Sequence, residues 1–176
     1  MNAELEEAYR LLRRAPPLKK DCGRLCGRRC CQGEETEGMW LFPGEEVLFA
    51  PGSGAEKQGF TVRPTQDNLG YPLVVCEGSC DRERRPLACR IYPIFPLMEG
   101  EPGRERIRLL YDPRGQRICP LAGGQLPLDP VFRRAVRRAA RVLLRNPQCA
   151  DYLRQTGAFL QEIAQLQRRM EQGKLP

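Results

Sequence analysis

A chain of 176 residues is most simply one domain, residues 1–176, and is long enough to bury a core. It carries a formal charge of +7, nine cysteines and no histidine, which excludes zinc sites that mix cysteine with histidine and removes the usual general base of enzymes. No stretch approaches the roughly 18 apolar residues of a membrane span, and the acidic N-terminus lacks the apolar core of a signal peptide. We therefore expect a cytoplasmic protein without a membrane partner.

The first third of the chain predicts one helix and an apolar anchor. Residues 3–14 form an amphipathic pattern with acidic residues early and arginines late, which suits the helix dipole, and Pro16-Pro17 ends it. Trp40, Leu41 and Phe42 follow as a large apolar group. Residues 44–48 then predict a short helical turn with acidic residues near its start.

The middle of the chain is broken by proline and glycine and predicts two or three short strands. Residues 60–62 and 72–76 are rich in strand formers, with a turn at 67–70 between them. Residues 107–111, continuing through 112–116 to Ile118, predict a hairpin that ends at Cys119.

The last third predicts two helices. Asp129 is the expected N-cap of a helix that starts at Pro130 and runs through Arg145. Asn146-Pro147 breaks it, and a second helix runs from about 148 to 172. We therefore expect an α+β fold with an irregular cysteine-rich, metal-bound centre at 20–120. An N-terminal helix and a C-terminal helical hairpin at 128–172 cover that centre.

The cysteines are the strongest functional signal in the chain. Four sulfurs lie within ten residues, and nearby glycines permit tight turns. Soft thiolates favour zinc, an iron-sulfur cluster or cuprous copper. A disulfide framework is the competing interpretation, and a reducing compartment counts against it. The candidate metal ligands are Cys22, Cys26, Cys30, Cys31, Cys76, Cys80, Cys89 and Cys119.

Two details of the sequence bear on which cysteines could bind the same metal ion. Cys30 and Cys31 are neighbours, and successive side chains of an extended chain point to opposite faces, so one of them is a candidate ligand of a second ion. Cys149 begins a predicted helix far from the others and is interpreted as a small buried residue. A closed structural zinc site and a functional metal centre both remain open.

Cys89 stands in the motif Arg85-Pro86-Leu87-Ala88-Cys89-Arg90, followed by Tyr92-Pro93. With Cys30-Cys31 and Cys80 before it and Cys119 after it, this order resembles the YkgJ-like cysteine-cluster family of zinc- or iron-chelating proteins. The resemblance covers residues 20–120 and implies a thiolate metal site. Through a related cysteine-rich region in flagellin lysine N-methylases, it also implies methyl transfer to protein lysine. We expect Arg85 and Arg90 to offset thiolate charge by hydrogen bonds to sulfur.

The predicted helix after Asp129 carries a stripe of arginines. Positions four apart on a helix lie on the same side, and such a stripe could follow the phosphates of a nucleic acid. A solvated helix face is the commoner meaning, because no aromatic residues alternate with these arginines. The stripe consists of Arg133, Arg134, Arg137, Arg138, Arg141 and Arg145.

Three functional hypotheses follow from the sequence. The first is a metal-binding or metal-handling protein that holds zinc or an iron-sulfur cluster. The second is a metalloenzyme related to protein-lysine methyltransferases, for which the chain shows no independent catalytic motif and no nucleotide-binding glycine loop. The third is a nucleic-acid-binding protein that uses the arginine helix. A metal ion is thus the expected partner, and a protein or a nucleic acid are further candidates.

Overall fold

The computed structural model describes residues 1–20, 22–31, 38–55, 57, 59–64, 69–78, 81–101 and 104–173. The predicted α+β class is confirmed. The helices are α1 (Ala3–Leu12), α2 (Gly23–Cys26), α3 (Leu87–Ile91), α4 (Pro130–Leu143) and α5 (Pro147–Glu171). The strands are β1 (Met39–Trp40), β2 (Phe60–Arg63), β3 (Leu73–Cys76), β4 (Ile94–Glu99) and β5 (Arg106–Tyr111). Short 3-10 turns lie at Arg29–Cys31, Glu46–Leu48, Arg82–Arg84 and Pro113–Gly115.

The predicted N-terminal helix is present as α1 and ends at Leu12, slightly earlier than the pattern suggested. The Asn2 side chain caps it by accepting a hydrogen bond from the Leu5 N–H at 2.8 Å. Leu5, Ala8 and Leu12 are buried, and they share one face because they recur at helical spacing. That face packs α1 mainly against α4.

The first sheet has the order β1-β3-β2, with antiparallel pairs. The two predicted strands at 60–62 and 72–76 are β2 and β3, and Phe60 lies opposite Cys76 in their register. The predicted turn at 67–70 falls partly on residues 67 and 68, which lie outside the described residues. Around this sheet a small core forms from Leu41, Phe49, Ala55, Phe60 and Val74.

The second sheet corrects one prediction. The sequence suggested that β5 turns through residues 112–116 and pairs forward with Ile118, but β5 pairs backward with β4, from Ile94 opposite Tyr111 to Glu99 opposite Arg106. Residues after β5 form the Pro113–Gly115 turn, in which the Asp112 side chain accepts from the Arg114 N–H at 3.0 Å. Ile94, Phe95 and Leu97 of β4 are buried, so pairing with β4 satisfies the backbone of a buried strand.

The C-terminal helices begin where the sequence placed them. Asp129 accepts a hydrogen bond from the Val131 N–H at 2.7 Å at the start of α4, and Asn146 accepts from the Cys149 N–H at 3.1 Å at the start of α5. Residues 144–146 join the two helices. Each packs mainly on another element: α4 on α1, and α5 on β4 and the Pro113–Gly115 turn.

The main core lies between these layers. Trp40 and Phe42, two residues of the predicted apolar anchor, belong to it, and Phe42 packs on Tyr152 with 4.1 Å between ring centroids. Tyr152 donates a hydrogen bond to the Trp40 carbonyl at 3.1 Å. Among the described residues, no helix has the length and apolar character of a membrane span.

Candidate thiol site

The first four cysteines lie on a compact helical segment. Cys22 precedes α2 and Cys26 is its last residue, so the two are one helical turn apart and on the same side. Gly27 and Arg28 follow with φ of 62° and 61°, in the left-handed region. Gly27 adopts this conformation without steric cost. The left-handed conformation of two consecutive residues, Gly27 and Arg28, leads the chain into the next turn.

Cys30 and Cys31 lie in that next turn, Arg29–Cys31. Their Sγ atoms are 3.9 Å apart. The sequence argument for opposite directions assumed an extended chain, whereas the 3-10 turn lets neighbouring sulfurs approach each other. The two thiols therefore form a vicinal pair that can act on one ligand.

Cys119 is distant in the sequence but lies in the same region. It is 7% exposed, and its N–H donates to the Gly115 carbonyl at 2.8 Å, so the Pro113–Gly115 turn fixes its backbone. Cys26 and Cys119 line one surface groove of about 610 Å³. Arg29 and Arg117 line it as well, which makes the rim of the groove positively charged.

Tyr92 is a partly buried phenol close to two of these cysteines. Burial raises the pKa of Tyr92, and the neighbouring Cys119 thiol, Asp112 and Cys30 raise it further. Cys30 and Cys119 thus both lie within electrostatic reach of one phenol, whose buried hydroxyl has no hydrogen-bond partner among the described residues. A Cβ atom on Gly115 would lie 1.9 Å from this hydroxyl oxygen, so only glycine fits at position 115.

The remaining predicted ligands are placed as follows. Cys89 is half-buried in α3 and lies close enough to Tyr9 of α1 to contribute to a raised pKa of Tyr9, whose main cause is burial. Cys76 ends β3 and packs on the small core beside the first sheet. Cys80 lies outside the described residues.

The structure therefore brings together only some of the predicted cysteine ligands. Cys26, Cys30, Cys31 and Cys119 share one region, and Cys22 lies one helical turn from Cys26. Cys76 sits on the other core. Within the part of the chain that the structure describes, no three side chains of cysteine, aspartate or glutamate stand in an arrangement that could hold a metal ion.

The two arginines beside Cys89 were expected to contact sulfur. Arg90 is 5% exposed, and its guanidinium donates to the Arg85 carbonyl at 2.8 Å and to the Glu83 carbonyl. It also lies over the Tyr9 ring, 4.4 Å from the centroid. Arg90 thus holds the loop before α3 onto α1, a structural role that the sequence did not indicate.

Glu45 is a buried polar residue that sequence reasoning missed. It is fully buried and accepts hydrogen bonds from the Tyr9 hydroxyl, the Leu87 N–H at 2.6 Å and the Phe42 N–H at 2.9 Å. Burial raises its pKa, and these hydrogen bonds oppose the increase. Glu45 and Glu46 are adjacent in the sequence, and no local signal distinguishes the buried residue from the exposed one.

Cys149 was interpreted as a small buried residue, and it is completely buried at the start of α5. Its Sγ lies 3.9 Å from the Pro43 carbonyl oxygen.

Comparisons of the chain with protein-family models, with curated proteins and with solved structures gave no match.

Proposed function

We propose that the protein binds a thiophilic metal, zinc or an iron-sulfur cluster, through the two cysteines that line the groove and the vicinal pair that follows Arg29. The ligands in this proposal are Cys26, Cys30, Cys31 and Cys119, with Cys22 as the nearest further thiol. One observation carries the proposal: Cys119 lines the same groove as Cys26, although the two are far apart in the sequence. Folding has brought together thiols that local spacing alone would leave separate.

The sulfur separation of the vicinal pair supports a shared ion. Two thiolates on one tetrahedral zinc, with zinc–sulfur bonds of about 2.3 Å, stand about 3.8 Å apart. The Sγ atoms of Cys30 and Cys31 are 3.9 Å apart. This pair therefore needs little movement to serve one ion.

Charge around the groove also supports the proposal. Four thiolates around one divalent ion carry a net charge of about −2, which a nearby cation stabilises. Arg29 and Arg117 line the groove beside Cys26 and Cys119. Their guanidinium groups are placed to offset that charge.

Metal binding in this proposal includes a local rearrangement. Ligand thiols of small metal sites come together as the ion binds, so binding free energy becomes folding free energy. The segment from Cys22 to Cys31 is two short helical pieces joined by left-handed residues, and neither piece buries a residue completely. Such a segment can move toward Cys119. A reducing, cytoplasmic setting that keeps the thiols free is part of the proposal.

Elemental analysis with an ultraviolet-visible spectrum of protein purified without oxygen tests the proposal. Stoichiometric zinc without visible absorption, or iron with labile sulfide and visible absorption, supports it. Cys119→Ser and Cys26→Ser are expected to lower metal affinity at least about tenfold. Cys149→Ala, which removes a buried thiol that does not line the groove, is the control and is expected to keep the metal content. Metal-free protein in which the proposed ligand thiols are all reactive would overturn the proposal.

The methyltransferase alternative stays a prediction that rests on the family resemblance. No feature among the described residues adds support to it. Calorimetry with S-adenosylmethionine would test it directly, and the absence of binding heat would count against it.

A further inference from the structure

The solvent-facing side of α4 consists almost entirely of arginine. Residues advance by about 100° around a helix, and the buried positions of α4 occupy one half of the circle: Phe132, Ala135, Val136, Ala139, Ala140, Val142 and Leu143. The other half, together with the turn that follows Leu143, carries the arginine face, which we define as Arg133, Arg134, Arg137, Arg138, Arg141 and Arg145. All are exposed except Arg137, which is half-buried.

Acidic side chains neutralise little of the positive charge on the arginine face. Residues 130–150 contain no aspartate or glutamate. Arg145 pairs with Glu7 of α1 at 3.3 Å, and the Asp129 carboxylate is engaged as the N-cap of α4. Within the described chain, the other five arginines of the face form no ion pair.

Mutual repulsion makes this arrangement costly for a helix that only faces water. Like charges four residues apart destabilise a helix, and Arg133, Arg137 and Arg141 repeat at that spacing. Ordinary exposed helices alternate charges of both signs along one side. Contacts with an anionic partner would neutralise these positive charges, so relief of their mutual repulsion would favour binding.

The spacing of charge on the face matches that of a nucleic-acid strand. From Arg133 to Arg141 the helix rises about 12 Å, so its five arginines give roughly one positive charge per 3 Å. One strand of duplex DNA carries a negative charge per about 3.4 Å of axis. All six cations are arginine, whose planar guanidinium binds phosphate oxygens in pairs.

The shape of the face favours a duplex over a single strand or a membrane. Arg133 and Arg137 lie toward one edge, while Arg134 and Arg138 lie toward the other, so two rows can reach the two backbones beside a groove. No aromatic residue stands among them to stack bases of a single strand. The apolar side of α4 is buried against α1 and the sheet and is not free to enter a bilayer.

We infer that the arginine face of α4 binds the phosphate backbones of double-stranded DNA without reading base sequence. Neutralised phosphates release counterions, so the affinity falls steeply with salt. The expected dissociation constant at physiological salt lies in the range of about 10⁻⁴ to 10⁻⁶ M that is typical of non-specific binding. This inference is independent of the thiol site.

Fluorescence anisotropy with the full chain and a labelled mixed-sequence duplex of about 24 base pairs, over a series of salt concentrations, tests the inference. Arg137→Glu with Arg141→Glu is expected to weaken binding at least about tenfold and to lower the salt slope by about 1.8. The control is Arg168→Glu with Arg169→Glu, two exposed arginines at the end of α5 that change the net charge equally. It is expected to stay within about threefold of the parent.

A milder pair, Arg137→Gln with Arg141→Gln, keeps the test valid if charge reversal disturbs the helix, and circular dichroism checks each variant. Equal losses in the α4 and α5 variants would overturn the inference, because bulk charge would then explain binding. A single strand of equal length that binds more tightly than the duplex would also overturn it. Displacement of the duplex by poly-L-glutamate at equal charge concentration would point to an acidic protein partner and count against DNA.

Discussion

The Tyr9 hydroxyl donates a hydrogen bond to the Glu45 carboxylate inside a fully buried site. The same carboxylate accepts from the N–H groups of Phe42 and Leu87. Its partners come from α1, from the segment after β1 and from the start of α3. One side chain therefore joins three segments of the chain that share no local structure.

Glu45→Gln is expected to destabilise the fold by about 2–3 kcal/mol. An amide has one acceptor oxygen where the carboxylate has two, and its NH₂ group would face backbone N–H donors, so at least one buried donor loses its partner. Urea unfolding at neutral pH measures the change. The neighbouring Glu46→Gln at an exposed position is the control and is expected to stay within about 0.5 kcal/mol. Equal unfolding midpoints for the two variants would contradict the prediction.

Gly115→Ala is expected to destabilise the fold by about 2–3 kcal/mol through overpacking. The new Cβ would lie 1.9 Å from the Tyr92 hydroxyl oxygen and 2.8 Å from its Cζ. Tyr92→Phe removes the first of these clashes, so the double variant should be more stable than the sum of the single changes by about 1 kcal/mol. A double-mutant cycle in urea measures this coupling, and strict additivity would show that Tyr92 does not limit position 115.

Arg114→Lys is expected to cost about 1–2 kcal/mol. Arg114 binds both Asp112 oxygens, at 3.0 and 2.6 Å, and its guanidinium lies 4.4 Å from the centre of the Trp40 ring. Lysine keeps the charge but loses the paired hydrogen bonds and the planar contact with the ring.

The fluorescence of Trp40 during urea unfolding measures the stability of the Arg114→Lys variant, because Trp40 is the only tryptophan in the chain. Arg108→Lys is the control, since Arg108 pairs with Glu99 on the surface, where such pairs contribute little. A loss in the Arg108 variant as large as in the Arg114 variant would contradict the prediction.

Cys149 is expected to resist alkylation in the folded protein. Burial raises the pKa of Cys149 to about 11, so at about pH 8 only roughly one thiol in a thousand is ionised. Because the thiolate is the reactive form, labelling should accelerate as the pH rises toward that value. Iodoacetamide pulses with peptide mass spectrometry, in native buffer and in denaturing urea, measure the rates. Equal rates in the two conditions would contradict the prediction.

Local patterns predicted the long helices and two strands of the first sheet, β2 and β3, but not β1. Helical spacing of apolar residues with Asp129 and Asn146 as N-caps located α4 and α5, because caps and periodicity act within a few residues of each other. β4 was missed because Pro93 and Pro96 interrupt its apolar run, and proline usually argues against a strand. In a two-stranded sheet each strand keeps one unpaired edge, so a proline can be accommodated there.

The sequence by itself determined the α+β class, the starts of the two C-terminal helices and the set of thiols available to a soft metal, because these depend on residue type and short-range spacing. Only the tertiary structure decided that Cys119 lies in the groove of Cys26, that Glu45 is buried while Glu46 is exposed, and that β5 pairs backward with β4. Such relationships depend on which apolar faces pack together across the whole chain. A short sequence pattern does not specify which residue, tens of positions away, a side chain or strand will contact.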